Sequence, residues 1–270
     1  MLINQKKYKK KKYSSGELRF VRSELDSFIE NGEVEIFLEN DYPILELSIV
    51  LKYYKLKGVM VKLVLSYLPY QRMDHKGRDK LDTLTYVAYV INDLHLDGVV
   101  ICEPHCEIDD FDNAKKFDFV RAIKNDVFNE IGFDEEKDFV VLTDKGGAKR
   151  YSGIAKNMTY FNKERSLETG LIVKQEIIGN IDISKKIVIV DDIISSGDTI
   201  VGIVEYLKEL GAKEIYVLSG HIENNKSNKR LEQFDEVKMI FSTNSLKKRG
   251  TKKIKIFDCG EVYYGKRNDW

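Results

Sequence analysis

Short apolar runs alternate with longer amphipathic segments along most of the chain. Several runs are rich in β-branched residues without polar alternation, which is typical of parallel strands covered on both faces. The predicted strands are 59–65, 98–101, 139–142, 187–190 and 214–218. The predicted helices are 43–55, 81–94, 113–131 and 199–210, and Gly211 is the expected C-cap of the last one. Strand, helix and strand in this order predict an α/β fold with a mainly parallel sheet.

The length of 270 residues suffices for one large domain or for two of ordinary size. Two stretches, Leu63–Arg72 and Val140–Arg150, each run from a predicted strand through a loop to an arginine, as two similar halves would. The acidic stretch 134–138 is the predicted boundary between them. We therefore expect an N-terminal domain over 1–133, a C-terminal domain over 134–252 and a terminal strand or tail over 253–270. A return of this tail to the N-terminal domain is one option.

The composition is that of a globular protein, with 43% hydrophobic and 33% charged residues. Lys+Arg and Asp+Glu both total 44, so no basic excess indicates a nucleic-acid partner. The basic run Lys6–Lys12 is expected to be a solvated strand or arm, and a phosphate-attracting strip is the alternative. Three cysteines argue against a disulfide framework and for a reducing compartment. No apolar run approaches the roughly 18 residues of a membrane span, so a cytoplasmic protein without membrane association is expected.

The most informative segment is 187–200, which reads IVIVDDIISSGDTI. A predicted buried strand ends in two adjacent acids, Asp191 and Asp192, and a loop of small hydroxyl residues leads into an amphipathic helix. Ligands of open parallel sheets bind at the carboxyl ends of strands, and a helix N-terminus favours phosphate. Paired acids suit sugar hydroxyls or a magnesium ion. The residues alone favour this interpretation no more than an ordinary strand–turn–helix with an acidic N-cap.

The segment Val190–Thr199 closely resembles the PRPP-binding motif of phosphoribosyltransferases and PRPP synthetases. The resemblance implies that the two acids hold the 2- and 3-hydroxyls of a ribose and that the following loop cradles its 5-phosphate. It implies two phosphoribosyltransferase-like domains, each a mainly parallel sheet flanked by helices. The implied sugar-phosphate residues are Asp191, Asp192, Ser195, Ser196, Gly197, Asp198 and Thr199.

Further segments resemble the synthetases rather than the transferases, in the same order along the chain. They are Tyr13–Glu17, Tyr67–Lys76, Glu103–His105, Thr143–Arg150 and Lys163–Arg165. The resemblance implies that ATP is bound by Tyr13, Ser15, Glu17, Arg72, Asp74 and His105. Lys163, Arg165 and His105 take the catalytic positions, and His105 and Asp144 take the metal positions, with Mg²⁺ as the implied cofactor.

The resemblance implies transfer of diphosphate from ATP to the anomeric 1-hydroxyl of a phosphorylated ribose, with release of AMP. It also implies a homo-oligomer, a dimer or a hexamer, because the Tyr13–Glu17 loop of the family receives the adenine of a neighbouring subunit. The alternatives are a non-catalytic subunit associated with a synthetase and, with less support, a phosphoribosyltransferase.

Asp198 departs from the family pattern, which has glycine at this position. A carboxylate should repel a phosphate monoester unless the side chain turns away, and the conformational freedom of glycine is lost. This departure leaves two sugar substrates open. Ribose 5-phosphate would give PRPP. ADP-ribose, which carries less charge on the phosphate next to its ribose, would give ADP-ribose pyrophosphate, as in NAD synthesis.

Overall fold

The computed structural model describes residues 1–9, 11–39, 44–73, 81–165, 172–225 and 228–269. The contacts divide the chain into two compact units, each with its own sheet and core. The first unit runs from Met1 to Phe117 and includes the terminal residues from Arg267 onward, and the second is Asp118–Lys266. Both sheets are mainly parallel and flanked by helices, which confirms the predicted fold class.

The first unit is built on a six-stranded sheet and a separate two-stranded hairpin. The sheet strands are β1 (Leu2–Ile3), β2 (Lys6–Lys7), β5 (Glu33–Leu38), β6 (Met60–Leu65), β7 (Gly98–Cys102) and β8 (Ala114–Phe117). Their order is β2-β1-β5-β6-β7-β8, with β5 to β8 parallel and β1 antiparallel to both neighbours. The hairpin pairs β3 (Lys11–Lys12) with β4 (Leu18–Arg19), and the helices are α1 (Arg22–Asp26), α2 (Ile44–Leu56) and α3 (Thr83–Asn92).

The second unit is built on a seven-stranded sheet. Its strands are β9 (Phe139–Leu142), β10 (Met158–Arg165), β11 (Ile172–Ile178), β12 (Ile187–Ile194), β13 (Ile215–Ile222), β14 (Val237–Thr243) and β15 (Ile254–Phe257). Their order is β11-β10-β9-β12-β13-β14-β15, and β11 alone is antiparallel to its neighbour. The helices are α4 (Phe119–Ile131), α5 (Lys145–Arg150), α6 (Asp198–Glu209), α7 (Asn228–Gln233) and α8 (Cys259–Lys266).

The predicted helix over 113–131 is wrong in its first part. Residues Ala114–Phe117 form β8, in parallel register with β7, and the helix begins only after Asp118. The exposed lysines of this segment suit a helix and an edge strand equally. Its pairing with β7, a tertiary contact, decides for the strand. At the end of α6 the C-cap is Leu210, and the predicted Gly211 is the residue directly after it, where it stops the helix. Gly211 adopts φ +98°, and the N–H groups of Gly211 and Ala212 donate to the carbonyls of Lys208 and Leu207.

The contacts divide the chain at Phe117/Asp118, ahead of the boundary at 133/134 expected from the sequence. Helix α4 packs into the core of the second unit through Val120, Ile123 and Val127. The acidic stretch lies inside this unit, where the carboxylate of Asp138 accepts hydrogen bonds from backbone N–H groups of Asp134 (2.8 Å) and Lys186 (3.2 Å). Asp138 is therefore a structural carboxylate and not a linker residue.

The tail expected over 253–270 is divided between the units. Strand β15 and helix α8 belong to the second unit, and the 3₁₀ turn Arg267–Asp269 belongs to the first. Within the first unit, Arg267 Nη1 contacts Glu35 Oε1 at 2.6 Å. Among the described residues, no helix is both long and apolar enough to cross a membrane.

Candidate active site

The centre of the second sheet is the strand β12, which carries the two adjacent acids. Its residues 187–190 are fully buried and pair with β9 on one side and β13 on the other. Val190 lies opposite Leu142, the last residue of β9, and opposite Leu218 of β13. Asp191 therefore lies just beyond the carboxyl end of β9, whereas β12 itself does not end at the acids but continues beside β13 to Ile194. The carboxyl ends of strands are the position at which open parallel sheets bind ligands.

The two acids have different partners. Asp191 Oδ1 accepts a hydrogen bond from the hydroxyl of Thr143 at 2.9 Å and another from the backbone N–H of Asp192 at 3.1 Å. Asp192 Oδ2 lies 2.6 Å from Arg150 Nη1, and its side chain is 3% exposed. One carboxylate of the pair thus has an arginine as counter-charge, whereas the other accepts hydrogen bonds from a neutral hydroxyl and a backbone N–H group.

Burial raises the pKa of Asp191 well above the ordinary range of a carboxyl group. The negative charge and hydrogen bond of Asp192 raise it further, the hydrogen bond from Thr143 opposes this rise, and the charge of Asp144 adds to it. The edge of the sheet therefore carries an excess of negative charge that a bound cation or hydroxyl donors would relieve.

Residues Ser195–Gly197 form the loop between β12 and α6. Gly197 is the N-cap of α6 with φ +76°, a conformation that favours glycine. The carbonyl of Ser195 accepts from Asn225 Nδ2 at 2.5 Å, and the carbonyl of Ile194 accepts from the N–H of Glu223 at 2.8 Å. The first N–H groups of a helix have no intrahelical acceptor, so the loop presents backbone donors at a positive helix end. Ser196 and Thr199 are exposed beside them.

Asp198 is the first residue of α6, and its carboxylate turns toward α7. Its Oδ1 lies 2.7 Å from Arg230 Nη1. A hydrogen bond from Ser196 lowers the pKa of the Asp198 carboxyl, and the hydrogen bond and charge of Arg230 lower it further. The carboxylate is therefore ionised at neutral pH and already has a counter-charge, so the repulsion of a phosphate expected from the sequence is partly offset.

Asp144 and Arg150 stand at the two ends of the short helix α5. Asp144 is its N-cap, and its Oδ1 accepts from the N–H of Gly147 at 2.6 Å. The backbone carbonyl of Arg150 accepts from Arg121 of α4 at 2.9 Å. Helix α5 therefore fixes Asp144 near the charge of Asp191 and directs the guanidinium of Arg150 to Asp192.

A buried polar cluster lies at the carboxyl ends of β13 and β14. His221 is fully buried, and its Nδ1 lies 2.7 Å from the hydroxyl of Ser245. The hydroxyl of Thr243 donates to the carbonyl of Gly220 at 2.7 Å, and the hydroxyls of Ser219 and Ser242 are 3.2 Å apart. The register places Ser219 opposite Asp191. The cluster therefore joins strand ends adjacent to the acid pair.

In the first unit, the structure brings together two of the segments expected to bind ATP. His105 follows the end of β7, and its backbone N–H donates to Gln71 Oε1 at 2.7 Å. Gln71 is fully buried, and the exposed Arg72 follows it. Gln71 therefore connects the segments that carry Arg72 and His105.

Tyr13, Ser15 and Glu17 form the tip of the hairpin β3–β4. Gly16 in the turn has φ +93°, the hydroxyl of Ser15 donates to Glu17 Oε2 at 2.8 Å, and Tyr13 is 56% exposed. Asp74 lies outside the described residues. Lys163 and Arg165 belong to the strand β10, whose backbone pairs with β11, but their side chains are also outside the description.

Sequence reasoning missed Thr143, Arg150 and Arg230 as partners of the acids. Thr143 and Arg150 lie in a segment that resembles the family, but the resemblance implies a role there only for Asp144. Arg230 has no motif around it. Its contact with Asp198 depends on how α7 packs beside α6, which no local pattern shows.

Comparisons with known proteins agree with this architecture. A family model for the phosphoribosyl transferase domain matches residues 111–249. A ribose-phosphate pyrophosphokinase of Methanobrevibacter smithii is 30% identical over 236 residues, covering 78% of this chain and 76% of that protein. The ribose-phosphate pyrophosphokinase of Saccharolobus solfataricus is 28% identical over 214 residues, covering 73% of this chain and 70% of that protein.

Among solved structures, the phosphoribosylpyrophosphate synthetase of Mycobacterium smegmatis superposes with a TM-score of 0.75 at 19% identity, covering 96% of this chain and 88% of that chain. This likeness shows the shared fold. The sequence matches go further, because they span most of both chains. The chain belongs to the ribose-phosphate pyrophosphokinase family of diphosphotransferase enzymes.

Proposed function

We propose that this protein transfers the diphosphoryl group of ATP to the 1-hydroxyl of ribose 5-phosphate, forming PRPP and AMP. The observation that carries the proposal is the pair Asp191–Asp192 in the carboxyl-terminal half of β12, which is followed after Ile194 by a hydroxyl-rich loop and the N-terminus of α6. Carboxylate oxygens accept hydrogen bonds, so they suit the 2- and 3-hydroxyls of a ribose. The loop and helix end suit its 5-phosphate.

Holding the sugar at both ends would orient its 1-hydroxyl. In the reaction, the 1-oxygen forms a bond to the β-phosphorus of ATP and loses its proton. The bond from that phosphorus to the oxygen bridging to the α-phosphorus breaks, and AMP leaves. Such transfers are accelerated mainly by positioning and by stabilisation of charge. The roles expected for Arg72, Asp74 and His105 are in binding ATP, and those for Lys163 and Arg165 are in stabilising charge on the transferred group.

Magnesium fits the donor set at the acid pair, because carboxylate oxygens are the ligands it prefers. Within the described residues, no three ligating side chains converge on one point. Mg²⁺ commonly binds through one or two carboxylates together with substrate phosphates, so Asp191 or Asp192 with Asp144 would suffice. His105 is the residue expected to contribute on the ATP side. When bound, the ion would neutralise phosphate charge.

ADP-ribose is the second candidate acceptor, because Asp198 stands where glycine is usual. Its carboxylate is paired with Arg230, which weakens the argument from charge and favours ribose 5-phosphate. The test is AMP release from ATP and Mg²⁺ with each sugar, with products identified by mass spectrometry. We expect the mass of PRPP from ribose 5-phosphate. A strong preference for ADP-ribose would reverse the assignment.

Matched variants separate the enzyme from a non-catalytic subunit. Asp192→Asn should abolish most AMP release, whereas Lys213→Ala, which removes an exposed charge at the opposite edge of the same sheet, should not. If the unaltered protein releases no AMP with either sugar, the non-catalytic alternative is favoured. If it releases diphosphate from PRPP and a base, it is a phosphoribosyltransferase.

The hairpin tip that carries Tyr13, Ser15 and Glu17 supports a homo-oligomer in which this tip serves a neighbouring subunit's ATP. A dimer or hexamer should be seen by light scattering at the protein concentrations used for assay. A monomer with full activity would contradict this part of the proposal.

A further inference from the structure

The loop Ser195–Gly197, to which we assign the 5-phosphate of the sugar, lies beside the segment that follows β13. Helix α7 within this segment is anchored, because Leu231 is fully buried in the core and Glu232 Oε2 accepts from the hydroxyl of Thr251 at 2.6 Å. These contacts fix the position of the backbone of Arg230, which lies on the same helix. Its guanidinium is 2.7 Å from Asp198, and the two side chains are 53% and 65% exposed.

The same segment makes two further contacts, one with the last residue of β12 and one with the first residue of the loop. The N–H of Glu223 donates to the carbonyl of Ile194, and Asn225 Nδ2 donates to the carbonyl of Ser195. These hydrogen bonds fix the backbone of the loop. The pair Arg230–Asp198 is the one contact among the three that joins two charged side chains, so it is the one that changes the electrostatics of the loop.

Asp198 creates an electrostatic conflict at this position. The N-terminus of α6 attracts anions, and a carboxylate in the first turn competes there with the phosphate of a substrate. A phosphate monoester carries close to two negative charges at neutral pH. Without a counter-charge, Asp198 would repel such a group. Arginine has five N–H donors in a planar fork, so it can hold a carboxylate and still lend positive charge to a neighbouring anion.

We propose that Arg230 is a positioning residue that determines specificity for the 5-substituent of the sugar, by neutralising the carboxylate of Asp198. This role rests on the proposed function, since it assigns the loop to the 5-phosphate. The pair stands where the family has glycine, and as long as Asp198 is ionised the loop binds a terminal phosphate more tightly with Arg230 in place.

The experiment measures steady-state kinetics of Arg230→Gln. The KM for ribose 5-phosphate should rise about tenfold, with kcat and the KM for ATP within about twofold of the unaltered protein. Arg230→Lys should recover most of the loss. In the double variant Asp198→Asn, Arg230→Gln, the KM should return to within about twofold of the unaltered value, because no charge is left to neutralise.

The matched control is Lys208→Gln, in the last turn of the same helix α6, which breaks the ion pair of Lys208 with the half-buried Glu236. It should leave every kinetic constant unchanged. Thermal unfolding of Arg230→Gln should match that of the unaltered protein, because its pair with Asp198 is exposed and exposed pairs add little stability. An unchanged KM for ribose 5-phosphate in Arg230→Gln overturns the inference. A double variant as impaired as Arg230→Gln also overturns it, since Arg230 would then not act through Asp198.

Calorimetric binding of ribose 5-phosphate without ATP separates this inference from the proposed function. Binding that weakens in Arg230→Gln and recovers in the double variant supports the inference even if no diphosphoryl transfer is found. No binding of ribose 5-phosphate to the unaltered protein overturns the inference itself. Binding without AMP release contradicts the proposed function alone.

Discussion

Arg150 Nη1 lies 2.6 Å from Asp192 Oδ2, at a carboxylate whose side chain is 3% exposed. This contact compensates one charge of the acid pair, while the pKa of Asp191 beside it stays raised by burial and by the charge of Asp192. The two acids are therefore adjacent in sequence but electrostatically distinct. Asp192 is held by a cation, and Asp191 is held by the neutral hydroxyl of Thr143.

Replacing Arg150 should destabilise the second unit. Arg150→Met would leave the buried carboxylate of Asp192 without its counter-charge, at a cost of about 2–4 kcal/mol in the free energy of unfolding. The control Lys156→Met breaks the exposed pair with Glu136 in the same unit and should cost no more than about 0.5 kcal/mol. Urea unfolding measures both. Equal losses in the two variants would show that the Arg150 contact adds no more than a surface pair.

Thr143 should position Asp191 for the sugar. Thr143→Val keeps the shape of the side chain but removes the hydroxyl that donates to Asp191 at 2.9 Å. We expect kcat/KM for the sugar to fall about tenfold, the typical effect of a lost hydrogen bond to a charged group. Thr143→Ser retains the hydroxyl and should stay within about threefold. If the serine variant is as impaired as the valine variant, packing and not hydrogen bonding explains the loss.

Gln71 should matter for ATP and not for the sugar. In Gln71→Met, the backbone N–H of His105 loses its acceptor at 2.7 Å, which should shift the segment carrying His105 and raise the KM for ATP by about tenfold. The control Tyr54→Phe removes another buried hydrogen bond of the same unit, the one from Tyr54 to the carbonyl of Leu25. Its KM for ATP should be unchanged. A similar rise in both variants would indicate a general effect of destabilisation.

Glu39 should make the first unit sensitive to acid. Burial on its own raises the pKa of this carboxyl, but hydrogen bonds and charges of Lys7 and the amino group of Met1 outweigh it and lower the pKa to about 2. The unfolded value is near 4.5. A depressed pKa contributes stability that is complete above about pH 4.5 and is lost as the pH falls through about 2.

We therefore expect Glu39→Gln to lose about 1–2 kcal/mol of unfolding free energy at pH 7, after allowance for the 27% exposure of this side chain. The difference from the unaltered protein should shrink at pH 3, as measured by urea unfolding at both values. A difference independent of pH would rule out ionisation of Glu39 as its cause.

Lys163 should act on turnover. If it stabilises charge on the transferred group, Lys163→Ala should lower kcat by on the order of 10²-fold, the typical effect of losing a preorganised charge contact. Lys213→Ala, an exposed lysine before β13, serves as the control in the same unit. Turnover of Lys163→Ala equal to that of the control would remove the proposed role.

Local patterns predicted the elements around the acid pair well. The runs 139–142 and 187–190 are apolar throughout, and the structure buries both in the centre of the second sheet. The edge strand β8 was missed, because two of its four residues are exposed lysines that carry no strand signal. The division at Phe117/Asp118 was not evident either, since it depends on which core α4 joins.

The sequence by itself determined the acids, the loop and the helix that follows, because these are contiguous and their chemistry follows from residue type and order. Only the tertiary structure decided which charged side chains contact these acids. Arg150 and Arg230 are 42 and 32 positions away from Asp192 and Asp198 along the chain, and only the packing of α5 and α7 against the sheet brings them into contact. Electrostatic interactions depend on distance in space, and for this reason the motif identifies the site whereas the fold sets its charge balance.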